Sequence, residues 1–186
     1  MAGVGPVFVG IRPPDTVRHE LAARLDAAFA ERPVPGRRVE PADWHLTLRY
    51  VGEPGEVGLD LMLVGLDEAE LGGPFDLGLD GLGAFPRPGR ANVLWLGVGR
   101  GATELDDVRE GVEEAVDRSG FGREDRPFVP HLTLSRIRPA ADVWGWLEAE
   151  PDLRVRWRVD EVLLMRTVRD GGRSWYEDVA VFPLGP

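Results

Sequence analysis

The chain spells one tetrapeptide twice: His45-Leu46-Thr47-Leu48 returns unchanged as His131-Leu132-Thr133-Leu134, 86 positions later, and the two copies use two of its three histidines. Each copy alternates apolar with polar residues. In a strand, side chains two apart share a face, so His45 and Thr47 point one way and Leu46 and Leu48 the other, and the second copy does the same. A half-buried antiparallel strand alternates in this way with no function attached. That accounts for either copy alone, but not for an identical pair in which both copies follow a loop rich in Arg and Pro. Two imidazoles facing each other across a groove are the minimal equipment for in-line displacement at phosphorus. One takes a proton from the nucleophile and the other gives one to the leaving oxygen, and an unperturbed pKa of about 6.5 leaves both forms accessible near neutrality. The hydroxyls of Thr47 and Thr133 can donate to non-bridging phosphate oxygens. Such a scheme needs no metal and no cofactor, and the sequence offers neither His-x-His nor His-Glu-x-x-His. Because the repeat is symmetric, it does not say which histidine is the acid.

The elements that position these residues follow from periodicity. Val7 to Ile11 reads as a strand, closed by Pro13-Pro14, with Asp15 as N-cap of a helix carrying Val17, Leu21, Leu25, Ala28 and Phe29. A loop from Arg32 to Pro41 leads to a strand from His45 to Val51. Residues 56–71 read as a helix, 75–80 and 93–98 as short strands. Thr103 opens a helix with Leu105, Val108, Val112 and Val116 on one face and Gly120 as its stop. The loop from Arg123 to Pro130 leads to the second motif strand, to Ile137. A short helix near residues 142–148, a long strand from Leu153 to Met165, a turn at Gly171-Gly172 and a strand from Trp175 to Phe182 complete the chain. Interleaved helices and strands, with the second half repeating the first in outline, predict an α+β fold built as two similar lobes.

Composition removes several function classes. Without cysteine there is no disulfide, thiolate nucleophile or zinc ribbon. With 32 acidic residues against 22 basic ones, all arginine, the net charge of −10 argues against a non-specific nucleic-acid coat, although arginine suits a small phosphate pocket. The apolar runs are about strand length, far below the roughly 20 residues of a bilayer span. The opening Met1-Ala2-Gly3-Val4 does not begin a secretory signal, so a cytoplasmic, non-membrane protein is expected.

Other residues carry weaker signals. His19 lies off the apolar line of its helix and reads as a surface residue. Gly97-x-Gly99-x-x-Ala102 formally fits a dinucleotide fingerprint, but the helix after it runs into a loop rather than a parallel strand. Ser119, Ser135 and Ser174 lack a Gly-x-Ser-x-Gly elbow. Trp44 reads as core. Arg87, Arg90, Arg123 and Arg126 fall in loops, where solvated arginine is the ordinary outcome.

Taken together, both His-x-Thr-x motifs, the opening Val7-Phe8-Val9-Gly10-Ile11-Arg12-Pro13-Pro14, Arg49-Tyr50-Val51-Gly52, Phe85-Pro86-Arg87-Pro88 with Val93-Leu94-Trp95, Phe128-Val129-Pro130 and Gly172-Arg173-Ser174-Trp175-Tyr176 resemble the 2H phosphoesterase superfamily. The nearest likeness is to its RNA 2′,3′-cyclic phosphodiesterases, once called 2′-5′ RNA ligases. The resemblance implies one domain over residues 1–186, made of two similar lobes with pseudo-two-fold symmetry. Two antiparallel sheets would flank a central cleft, with helices outside. It implies opening of a terminal 2′,3′-cyclic phosphate to a 2′-phosphate, with His45 as proton donor, His131 as proton acceptor and Arg136 at a phosphate-contacting position. Alternation alone puts Arg136 on the leucine face, so it reaches the cleft only if the strand ends or bulges near Ser135. The implied partners are RNA 3′ ends or small cyclic-phosphate nucleotides, met by a monomer. The reverse joining reaction and a non-catalytic RNA-end binding module are the competing readings.

Overall fold

In the computed structural model, which describes residues 5–185, thirteen strands and α-helices follow one another. They are β1 (Val7–Ile11), α1 (Asp15–Ala28), β2 (Arg37–Arg38), β3 (Leu46–Gly52), α2 (Gly55–Asp67), β4 (Phe75–Phe85), β5 (Ala91–Arg100), α3 (Ala102–Val116), β6 (His131–Ala141), α4 (Trp144–Leu147), β7 (Val155–Val159), β8 (Glu161–Asp170) and β9 (Arg173–Pro183). The reading of Met1 to Val4 lies outside the described residues.

The strands run in the order β7-β4-β5-β6-β3-β1-β8-β9, with β2 added beside β6, and every pairing is antiparallel. About the β6/β3 joint the two halves mirror each other in spatial order, though not in chain connectivity: β7 follows its motif strand through α4, whereas β9 follows β8 directly. Each half has a motif strand at the centre, a neighbour, a long third strand and an outer fourth. The α+β class and the two-lobed symmetry are therefore present. The two antiparallel sheets touch through a single register pair, Leu46↔Leu132, and so run on into one curled sheet of nine strands. Both leucines at the joint are fully buried.

The leucine face of each motif strand carries the core. Leu46, Leu48, Leu132 and Leu134 share one buried cluster with the stripe Val17, Leu21 and Leu25 of α1, Met62 and Leu66 of α2, and Leu105, Val108 and Val112 of α3. At about 1.5 to 3 kcal/mol per fully buried aliphatic side chain, this layer fixes which way the motif strands face. The helices take the leucine side, and the polar side is left for the cleft.

Several boundaries differ from the periodicity reading. The stretch from Leu153 to Met165 is two strands broken at Asp160: β7 pairs with β4 in one half, β8 with β1 in the other. Strand β4 runs on through its glycines to Phe85, paired with β5 to its end, and Gly83 leaves room for the Trp95 ring that a Cβ there would meet. Asp15 is the first helical residue of α1 and bonds Arg18, so it is not a cap, and Pro14 precedes it. Helix α2 stops at Asp67, α4 has four residues, and α3 gives way after Val116 to a wider turn containing Gly120 at φ 92°.

Candidate active site

The Leu46↔Leu132 bridge sets the geometry of the site. Extending its antiparallel register by one residue either way places His45 opposite Thr133 and Thr47 opposite His131, all on the face away from the leucines. Thr47 and His131 line one cavity, and the charge of His131 reaches His45. Four polar side chains from distant segments thus surround one point, half-buried at its floor.

The two imidazoles are held alike. His45 Nδ1 donates to the carbonyl of Asp43 at 2.7 Å, and His131 Nδ1 donates to the carbonyl of Val129 at 2.7 Å. Each bond fixes the tautomer and leaves Nε2, on the far side of the ring, with the free lone pair. Aromatic rings enclose both. His45 lies 4.8 Å from Phe8 and 4.7 Å from Tyr176, and His131 lies 4.9 Å from Phe85 and 5.9 Å from Trp95, between ring centroids. Burial is the largest cause holding both histidines below their ordinary pKa. His45 falls to about 4, opposed by its Asp43 bond and pushed further down by the Arg12 and Arg136 guanidinium groups. His131 is lowered by burial, with Arg136 adding to it against the Val129 bond. At neutral pH both rings are neutral bases. The carboxyl of Asp43 is raised, first by its own burial, although it accepts from the Tyr176 backbone N–H and faces Arg12.

A matched pair of bulges finishes each motif. Strand β1 pairs Gly10 with Thr47 and then Val9 with Arg49, passing over Leu48; β5 pairs Trp95 with Thr133 and then Leu94 with Ser135, passing over Leu134. Two residues against one shifts the alternation. Arg49 and Ser135 therefore turn inward, at 8% and 0% exposure, while Tyr50 and Arg136 come out on the cleft face. This is the condition under which Arg136 reaches the cleft, and its influence on both histidines agrees with that placement.

Inside, Arg49 ties the first motif strand to the loop that carries the second histidine. Its Nη2 donates to the carbonyl of Gly122 at 2.8 Å, and its guanidinium lies 3.4 Å from Glu113 and 3.6 Å from Glu124. Glu113, 1% exposed, also accepts from Arg109 and from the Glu124 backbone N–H. Arg109 stacks 4.7 Å over Phe128. The loop is thereby pinned just before the Val129 carbonyl that His131 needs. On the other side, Ser135 Oγ donates to the carbonyl of Pro35. Between these walls a cavity of about 500 Å³ is lined by Thr47, Tyr50, Phe85, Arg126, Phe128 and His131. It is large enough for a nucleotide, and its aromatic rims could stack a base.

The remaining candidates separate. His19 is exposed, and Trp44 is buried in the core. Gly97 and Gly99 lie in β5, antiparallel to both neighbours, so no βαβ unit is formed. Ser119 bonds backbone carbonyls of Ala115 and Leu61, and Ser174 is exposed. Arg87 and Arg90 are exposed, Arg123 pairs with Glu110, and Arg126 alone of the four lines the cavity, paired with Glu124. Among the described residues no three His, Asp or Glu side chains gather into a metal-holding group. Sequence reasoning gave no role to Arg12, which the β1 register sets opposite His45 and which Asp178 holds at 2.7 Å, nor to Tyr50. The aromatic enclosure of each histidine was also unread, since it depends on which strands are neighbours.

Known proteins resemble this chain in sequence and in fold. Residues 13–171 match the model of the 2′-5′ RNA ligase superfamily. The chain is 40% identical over 126 residues to an RNA 2′,3′-cyclic phosphodiesterase of Aeropyrum pernix, covering 65% of this chain and 68% of that one. Its fold matches E. coli LigT complexed with 3′-AMP at a TM-score of 0.81 and 25% identity, over 98% of this chain and 99% of that one. A Thermus thermophilus protein matches at a TM-score of 0.69 and 31% identity, over 96% and 97% of the two chains.

Proposed function

The chain belongs to the 2′-5′ RNA ligase superfamily, and on that premise we propose that it is an RNA 2′,3′-cyclic phosphodiesterase that opens terminal cyclic phosphates to 2′-phosphates by paired histidine catalysis without a metal. The observation that carries this reading is the Leu46↔Leu132 bridge, whose register gathers both His-Thr pairs on one face. The cyclic phosphate lies over that bridge, with the Thr47 and Thr133 hydroxyls and Arg136 on its non-bridging oxygens. His131 Nε2 takes a proton from water as the water oxygen bonds phosphorus; the bond from phosphorus to O3′ breaks, and His45 gives its Nε2 proton to O3′. The products are a 2′-phosphomonoester and a free 3′-hydroxyl, and solvent returns the proton from His131 to His45.

His45 must hold a proton for this step, and its environment in the free protein opposes one. The bound anion supplies the correction. It neutralises the Arg12 and Arg136 charges that push the ring's pKa down, and itself attracts the imidazolium. Acid–base work by such a pair is typically worth 10² to 10⁴ in rate per transfer. Because both motifs belong to one chain, a monomer completes the cleft, and the cytoplasm is the proposed place of action.

The test is incubation of the purified protein with an oligoribonucleotide ending in a 2′,3′-cyclic phosphate, with EDTA present. A 2′-phosphate formed at an undiminished rate is expected. A 3′-phosphate product, or activity abolished by the chelator, contradicts the mechanism; equal binding of cyclic and opened ends with no product favours a binding module.

A further inference from the structure

Two residues along β5 from the Thr133 row, on the same face, the registers line up Phe85 on β4, Val93 on β5, Arg136 on β6 and Arg37 on β2. Directly paired residues share a face, and Phe85 touches His131, so all four project toward the cleft. Arg37 and Arg136 therefore stand side by side across an antiparallel pair, both exposed, and neither makes an ion pair or hydrogen bond among the described residues. Like charges directly opposed across strands are destabilising. The neighbouring Arg38, on the other face, is neutralised by Asp26 at 2.7 Å. In a chain of net charge −10, two bare guanidinium groups facing the same space are an arrangement waiting for an anion. Arg37 acts on the carboxylate of Asp43, just before His45, without pairing with it.

We propose that Arg37 and Arg136 form a second anion subsite, which grips the phosphodiester on the 5′ side of the terminal nucleotide, so that the substrate class is RNA strands rather than mononucleotide cyclic phosphates. This rests on the reading that the terminal cyclic phosphate lies between His45 and His131. The spacing supports it: on β5, two residues at about 3.3 Å each separate the Trp95–Thr133 row from the Val93–Arg136 row, the reach of one nucleotide. Arg136 stands at the boundary between the two phosphates. Arg37 lies on the far side of Arg136 from β5 and serves only the second. Contacts to phosphate fix register without reading sequence, so the subsite confers length preference and not base preference.

The experiment compares kcat/KM on three probes: adenosine 2′,3′-cyclic phosphate, the ApA dinucleotide ending in a 2′,3′-cyclic phosphate, and that dinucleotide with a neutral methylphosphonate link. The wild-type protein should prefer the charged dinucleotide over both others by about tenfold, the scale of one charge-assisted phosphate contact. Arg37→Gln should erase that preference, leave the mononucleotide rate within about twofold, and lower the salt slope for the dinucleotide by about 1; Arg37→Lys should restore part of it. Equal rates on charged and neutral links, or an Arg37→Gln defect as large on the mononucleotide as on the dinucleotide, overturn the subsite. Failure of the wild-type protein to open any probe would instead overturn the phosphodiesterase reading on which the subsite rests.

Discussion

The two halves begin their motifs with the same four residues and finish them differently. Beyond the first bulge come Arg49 and Tyr50; beyond the second, Ser135 and Arg136. The inward position is a buried cation in an ionic cluster on one side and a small hydroxyl on the other. The outward position is a phenol on one side and a guanidinium on the other. The histidines differ as well: His45 is closed in by Phe8 and Tyr176 beside Arg12, while His131 lines the open cavity. Strand geometry makes the pair equivalent in position, and the residues after each bulge make it unequal in chemistry. If the pair serves as acid and base at one phosphorus, as proposed above, this inequality is what assigns the two roles, because a strictly symmetric site could not distinguish them.

The largest effects test the shared part of the comparison. His45→Ala and His131→Ala should each lower kcat on a cyclic phosphate by about 10² to 10⁴, with little change in urea midpoint. A variant that kept wild-type turnover would leave its half of the motif structural. The inward positions should separate next. Arg49→Met leaves Glu113 buried with only Arg109 for charge, and should cost about 3 kcal/mol in urea unfolding, the low end for a broken buried pair.

Acid sensitivity follows from His45. Its folded pKa of about 4 lies below the unfolded value near 6.5, so the unfolded chain binds the extra proton. The stability that His45 contributes is whole above about pH 6.5 and is lost as pH falls through about 4, to a total of about 3 kcal/mol. His45→Gln should therefore flatten the wild-type decline over that window; parallel pH curves for the two proteins would contradict the shift. For the outward positions, Arg136→Gln should raise KM by about tenfold, the loss of a charged hydrogen bond. Tyr50→Gln, a polar residue at the mirrored place, should not reproduce that loss. The smallest effect belongs to Ser135→Ala, about 1 kcal/mol for one hydrogen bond to Pro35.

The contrast also shows what sequence periodicity can reach. The alternation in residues 45–48 and 131–134 sets the facing of the histidines and threonines, because leucine burial enforces a period of two. The bulges at Leu48 and Leu134 are not legible, since a bulge is a property of two strands, and its partners on β1 and β5 lie elsewhere in the chain. The facing of Arg136 depends on that bulge and is hidden with it. The break at Asp160 carries no glycine or proline to mark it, and arises only because the chain crosses from one half of the sheet to the other. Periodicity cuts strand β4 short at its glycines, and the role of Gly83 in admitting the Trp95 ring emerges only once the strands are adjacent.

If both imidazoles address one phosphate, they must answer together to a single bound anion. The side-chain nitrogen resonances of His45 and His131 can be followed while the 2′-phosphomonoester product, adenosine 2′-monophosphate, is titrated into the labelled protein. Both Nε2 signals should move along one saturation curve with one nucleotide per chain, and His45 should take up a proton at a pH where the free protein leaves it neutral. A response from only one ring, or two curves with different midpoints, would contradict a shared phosphate.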